Sequence, residues 1–168
     1  MAYQYKMSGL DYVYLRNGFQ IHETEYGRGI SIERADALDL CIAGIIITSH
    51  ARLRGQEVRF LRSLLQCSQT ELAICLGVMR VTVARWEGAP TTPIPGPADR
   101  VLRLLTANRL LGVEATSCIL EMLPEITDSH PEPLYMIFEP AAKEVEPSLP
   151  FPNLDAETER WRDEKRAA

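Results

Sequence analysis

The chain has 168 residues, 46% of them hydrophobic, which suits one packed domain, or a small domain with an ordered extension and a tail, and excludes global disorder. No apolar run approaches the roughly 18 residues that a membrane span needs, and the polar, aromatic start MAYQYKMSGL has no apolar core of a secretory signal, so a cytoplasmic protein is expected. The net charge of −5 is unevenly spread: residues 1–49 carry −2, residues 50–110 carry +5 with arginine as the sole cation, and residues 111–168 carry −8.

The first predicted elements are strands. YVYL and FQIHET are aromatic and β-branched and flank Asn17-Gly18, a pair suited to a type I′ hairpin turn. GRG at 27–29 gives a second turn before ISI, so a small β-meander is expected. From Glu33 to about Thr48 the period becomes helical, with Ala35, Leu38, Ile42, Ile45 and Ile46 recurring at three- and four-residue spacing and with Glu33 and Asp36 in the first turn. A second helix runs from Gly55 to Leu65, with Val58, Leu61, Leu64 and Leu65 inward and Arg59 and Arg62 outward. Ser68 and Glu71 then form a capping box that opens QTELAICL, and Gly77 stops that helix. RVTVARWE restarts as a helix, ended by Gly88 and the stiff loop APTTPIPGP.

Further on, residues 97–112 read as a helix with Val101, Leu104, Leu105 and Leu111 inward and Arg100, Arg103 and Arg109 outside. EATSCILEMLPEI reads as a short helix ending near Pro124, and PLYMIFEP as a strand that pairs with the N-terminal hairpin. From Lys143 the chain is acidic and proline-rich without periodicity, with a marginal helix at LDAETERWRDEKR. The cysteines, Cys41, Cys67, Cys75 and Cys118, have no zinc-ligand spacing and read as reduced, mostly buried small hydrophobes, with Cys75 on an apolar face. His22, His50 and His130 are scattered. No paired acids, Cys/His set or phosphate loop marks an enzyme, so no catalytic residue, metal or cofactor is expected.

Two short helices joined by a glycine-containing turn have the geometry of a helix-turn-helix. Ala73 lets the second helix cross closely, Val78 tucks under the pair, and Val83 and Trp86 face the core. Arg80, Thr82, Ala84, Arg85 and Glu87 then fall on the remaining faces. Over about 50 residues the segment resembles the Cro/repressor-like (XRE) helix-turn-helix regulators, through Ser68, Gln69, Leu72, Ala73, Gly77, Val78, Thr82, Val83, Trp86 and Glu87. The order of elements also resembles the MqsA-type antitoxin and regulator group. This chain lacks the zinc-binding cysteine pairs of that group, and Met79 stands where a polar cap is usual.

The resemblance implies an α+β, mainly α, chain in three parts. Residues 1–49 form a hairpin and linking helix, both candidates for a dimer face. Residues 50–124 form a five-helix Cro/repressor-like DNA-binding domain, and residues 125–168 a strand and acidic tail. It implies a dimeric, sequence-specific regulator, a repressor, on palindromic double-stranded DNA. The alternative is an antitoxin that neutralises a toxin partner and regulates its own operon. Arg80, Val81, Thr82 and Arg85 are the expected base-reading residues, since arginine pairs with guanine in two places at once and valine can touch a thymine methyl. The resembled antitoxins have asparagine at the position of Val81, so a different operator is implied. Ser68, Gln69 and Thr70 open the preceding helix, where free amides suit phosphate.

Overall fold

The computed structural model describes residues 2–25, 27–139 and 160–166. In chain order these form β1 (Tyr3–Gln4), a 3₁₀ turn, β2 (Val13–Leu15), β3 (Phe19–Thr24), β4 (Gly27–Ile32), α1 (Ala35–Ile47), α2 (Gly55–Leu64), α3 (Gln69–Leu76), α4 (Arg80–Glu87), α5 (Gly96–Thr106), a π-helical segment (Ala107–Leu111), α6 (Val113–Met122), β5 (Leu134–Glu139) and β6 (Arg160–Asp163). The fold is α+β and mainly helical. No described helix is long and apolar enough to cross a membrane.

The expected meander does not form. β2 leaves β3 and joins a four-stranded sheet in the order β1-β2-β5-β6, in which β2 and β5 run parallel and the other neighbours antiparallel. β3 and β4 form a separate two-stranded ribbon. The break lies at Asn17-Gly18. A type I′ turn needs positive φ at both central residues, and only Gly18 has it, at +70°. Asn17 instead uses its side chain as a backbone substitute. Its Nδ2 donates to the Phe138 carbonyl at 3.0 Å, and its Oδ1 accepts from the Phe138 amide at 2.6 Å. Gly18 sits under the same corner, where an added Cβ would meet Phe138 Cβ and the Trp161 ring, both at 2.6 Å.

The C-terminal segment also departs from the expected marginal helix: Arg160–Asp163 is a strand that closes the sheet edge on β5. Trp161 is only 3% exposed, packs on Phe138 at 5.3 Å between ring centroids and donates its indole N–H to the Glu33 carbonyl at 2.8 Å. An indole that finds both an apolar bed and a polar partner belongs to a core. The proline-rich residues 143–159 lie outside the described residues.

α1 runs through the middle of the core. Leu38, Ile42, Ala43 and Ile47 are fully buried, and the helix packs against α2, α5 and β6. Most of its apolar surface is therefore occupied within the chain. A helix leaves its last four carbonyls without intrahelical donors, and here the donors come from an unexpected residue. The apolar spacing of α5 puts Arg103 outside, yet it is 0% exposed. Its Nη1 donates to the carbonyls of Ile47 at 2.9 Å, Ser49 at 2.6 Å and Ile46 at 3.3 Å, and its Nη2 to Ala51 at 2.5 Å. Nε donates to Asp99 Oδ1 at 2.6 Å, and Asp99 Oδ2 accepts from the Leu53 amide at 2.7 Å. The pair, also 0% exposed at Asp99, is thus satisfied on nearly every polar atom, the condition under which a buried ion pair is tolerated. The face of α5 is rotated accordingly: Val101, expected inside, is 42% exposed, and Leu102 is fully buried. Of the four cysteines, Cys41 is buried and Cys75 is exposed, against the apolar-face reading of the latter.

Candidate nucleic-acid interface

α3 and α4 cross closely, joined by Gly77, Val78 and Met79. Each part of the junction has a local cause. Ser68 Oγ accepts from the Glu71 amide at 3.2 Å while Glu71 Oε2 accepts from the Ser68 amide at 2.7 Å, so the capping box is formed. These contacts, the Ser68 backbone bond foremost, hold the Glu71 carboxyl below its ordinary pKa. Gly77 ends α3 at φ +66°, where any residue with a Cβ is disfavoured. Leu72 and Val83 are fully buried, Ala73 nearly so, and Val78 and Trp86 pack on them.

α4 is held from behind by a polar clamp. Arg62 of α2 makes a two-pronged bond to Glu87, Nε to Oε1 at 2.5 Å and Nη2 to Oε2 at 3.1 Å. Gln69 of α3 donates to Glu87 Oε2 at 2.9 Å, and Arg62 Nη1 caps the Cys67 carbonyl at 3.0 Å. Burial pushes the Glu87 carboxyl up, but the bonds from Arg62 and Gln69 outweigh it and hold it below its ordinary value. Three helices are thereby fixed by one carboxylate. Glu87 and Arg62, which the sequence pattern puts on outward faces, are structural. Gly55 adds a backbone contact: a Cβ there would stand 1.9 Å from the Trp86 carbonyl oxygen and 2.6 Å from that of Ala89. Only glycine lets the start of α2 touch the end of α4.

The opposite face of α4 is open. Arg80, Val81 and Arg85 are exposed and Thr82 is half-buried. Among the described residues, Arg80 and Arg85 make no ion pair or side-chain hydrogen bond. Most other arginines of the basic middle third are engaged: Arg54 and Arg103 are buried, Arg62 holds Glu87, and Arg52 bonds the Ile94 carbonyl and pairs with Asp128 at 3.8 Å. Arg54, Arg62 and Arg103 are offset by Glu57, Glu87 and Asp99 of the same segment, so its surface stays positive, carried by exposed Arg59, Arg80, Arg85 and Arg109 and half-exposed Arg52 and Arg100 against exposed Glu71.

The expected phosphate seat is altered. Ser68 and Thr70 are exposed, but Ser68 Oγ is spent on the cap and the Glu71 carboxylate shares that helix end. Gln69 is half-buried and its side-chain amide is committed to Glu87. The backbone amides of Gln69 and Thr70 remain as the donors a phosphate would meet there. Met79 caps α4 with no side-chain bond, so the first amides of α4 lack a side-chain partner as well. Met79 is 71% exposed, Val81 62% and Ile74 74%, so α3, α4 and their junction each show an apolar side chain to solvent. Among the described residues no group of histidine, cysteine and acidic side chains could hold a metal ion.

No family model, curated protein or solved structure matches the chain.

Proposed function

We propose that the chain is a sequence-specific regulator of transcription, a Cro/repressor-like helix-turn-helix protein that binds double-stranded DNA with α4 in the major groove. The observation that carries this reading is the two-sidedness of α4. Its inner face is clamped by Val83, Trp86 and the Arg62–Glu87–Gln69 contacts, while Arg80 and Arg85 face solvent without partners. An unpaired guanidinium on a rigid helix is already oriented for the fork that guanine O6 and N7 accept. In this reading α2 to α6 are the five helices of the DNA-binding unit. Val81 reads a thymine methyl, Thr82 a base edge or phosphate, and Arg85 and Arg80 guanines. Ser68, Gln69 and Thr70 seat a phosphate through the backbone at the start of α3.

One helix of this kind reads only a few base pairs, so a cytoplasmic homodimer on a palindrome completes the proposal. Repeated selection of the full chain against randomised duplexes tests it. A pseudo-palindrome with guanine-bearing half-sites about 10 base pairs apart is expected. A pool that converges on no sequence opposes the reading.

A further inference from the structure

The ribbon of β3 and β4 stands apart from the four-stranded sheet, and among the described residues no further strand pairs with either of its edges. A lone two-stranded ribbon is marginally stable in water, and an open edge is a template for another strand. The register sets Phe19 beside Ile32, Ile21 beside Ile30 and Glu23 beside Arg28. Directly opposed residues share a face, so the isoleucines lie on one face and Gln20, His22 and Ser31 on the other. Phe19 and Ile32 pack against the core, but further out Ile21 is 51% exposed and Ile30 half-buried.

The ladder fixes which backbone groups are free. The Glu33 amide donates to the Gly18 carbonyl at 2.9 Å. In an antiparallel pair the hydrogen-bonded positions recur at every second residue. Ser31, Gly29 and Gly27 therefore bond toward β3, and Arg28, Ile30 and Ile32 turn their N–H and C=O groups outward. Among the described residues none of these outward groups has a partner. β4 carries neither lysine nor proline to guard its edge, and its one charge, Arg28, pairs with Glu23 of the same ribbon at 3.9 Å.

A two-fold axis at Ile30 suits this edge. It sets Ile30 against Ile30 of a second copy and Arg28 against Ile32 of that copy. All of these are outward positions, so every free N–H and C=O among them finds a partner. Ile21 and Ile30 of both copies then form one row across the joined sheet, and the Arg28 stem lies along Ile32. The same operation on the far edge, at Ile21 of β3, would set the Glu23 carboxylate beside Phe19 of the copy.

We propose that β4 is the dimer edge of this chain, and that two copies join their ribbons by antiparallel β4–β4 pairing centred on Ile30. In its purpose the pairing rests on the palindrome reading, which requires two copies, but its test contains no DNA.

Sedimentation of the full chain across the micromolar range, with residue-resolved amide exchange by NMR, tests the edge. A dimer is expected. The amides of Arg28, Ile30 and Ile32 should exchange about tenfold or more slowly as dimer replaces monomer, while those of Gly29 and Ser31 are slow in both. Ile30→Lys places like charges opposite each other at the axis. Ile30→Pro removes an outward N–H that the ladder to β3 does not use. Each should weaken dimerisation by about tenfold or more with an unchanged circular dichroism spectrum. The exchange pattern of the parent decides the matter even where a variant does not fold. A chain that stays monomeric, a dimer that both variants leave intact, or outward amides that exchange alike in monomer and dimer would overturn the proposal. A β4-paired dimer that selects no operator would uphold the pairing and count against the DNA reading alone.

Discussion

Replacing Arg103 by leucine removes a side chain that is fully buried and donates to Asp99 and to four backbone carbonyls. Leucine fills part of the volume but donates nothing. Asp99 is left without its cation at 0% exposure, and breaking a buried pair from one side costs about 3–5 kcal/mol. The carbonyl of buried Ile47 loses its donor, that of Ile46 keeps the Ser49 amide at 3.2 Å, and Ser49 and Ala51 lie closer to solvent. For a chain of this size each kcal/mol lowers the melting temperature by about 2–4 °C, so a fall of roughly 6–20 °C is expected. Urea unfolding followed by circular dichroism measures the free-energy loss, with Arg100→Ala, a half-exposed neighbour, expected to stay within about 0.5 kcal/mol of the parent. Asp99→Leu combined with Arg103→Leu should recover part of the loss, because no charge is then stranded. A single-variant loss below about 1 kcal/mol would refute the reasoning, since that is the scale of an ordinary surface or half-buried contact.

Three further outcomes are expected. Gly55→Ala should destabilise by about 1–3 kcal/mol or more through overpacking against the Trp86 carbonyl, checked by the shift in urea midpoint. Trp161→Ala should cost about 3–5 kcal/mol in the same assay, because the indole is a core residue and not part of a loose tail. Burial raises the Glu57 carboxyl pKa above its ordinary value. The folded chain therefore holds that proton more tightly than the unfolded chain, and the contribution to stability is full below the ordinary carboxylate value of about 4.3 and lost as pH rises through the folded value. Urea midpoints across this range should fall less steeply in Glu57→Gln than in the parent.

Features with local causes are legible in the sequence. The Ser68–Glu71 box, the stop at Gly77 and the bounds of α1 to α4 follow from residues within a few positions of each other. The departures come from distant ones. Asn17 looks like half of a hairpin turn, and only Phe138, 121 residues on, diverts it. Arg103 sits on a helix whose apolar spacing allows either of two rotations, and carbonyls 52 to 57 residues earlier choose between them. β6 has no strand period of its own and is defined by pairing with β5. In the candidate interface, Arg80, Val81 and Arg85 are exposed and Thr82 half-buried on one helix, in keeping with the pattern. Gln69 and Glu87 look like separate surface positions in the sequence, yet Glu87 accepts from both Gln69 and Arg62.

The central claim is that the open face of α4 reads bases. The most direct measurement is fluorescence anisotropy of a duplex chosen by the full chain, titrated with the parent protein and with Arg85→Ala and Arg80→Ala over a range of salt. Both side chains are exposed and without partners, so the variants should keep the parent's unfolding curve. Each should lose about 1–3 kcal/mol on the chosen duplex and markedly less on a scrambled one. The logarithm of the parent's affinity should fall linearly with the logarithm of salt, with a slope near −0.9 for each phosphate neutralised. Undiminished affinity in both variants, or a flat salt response of the parent, would contradict the account.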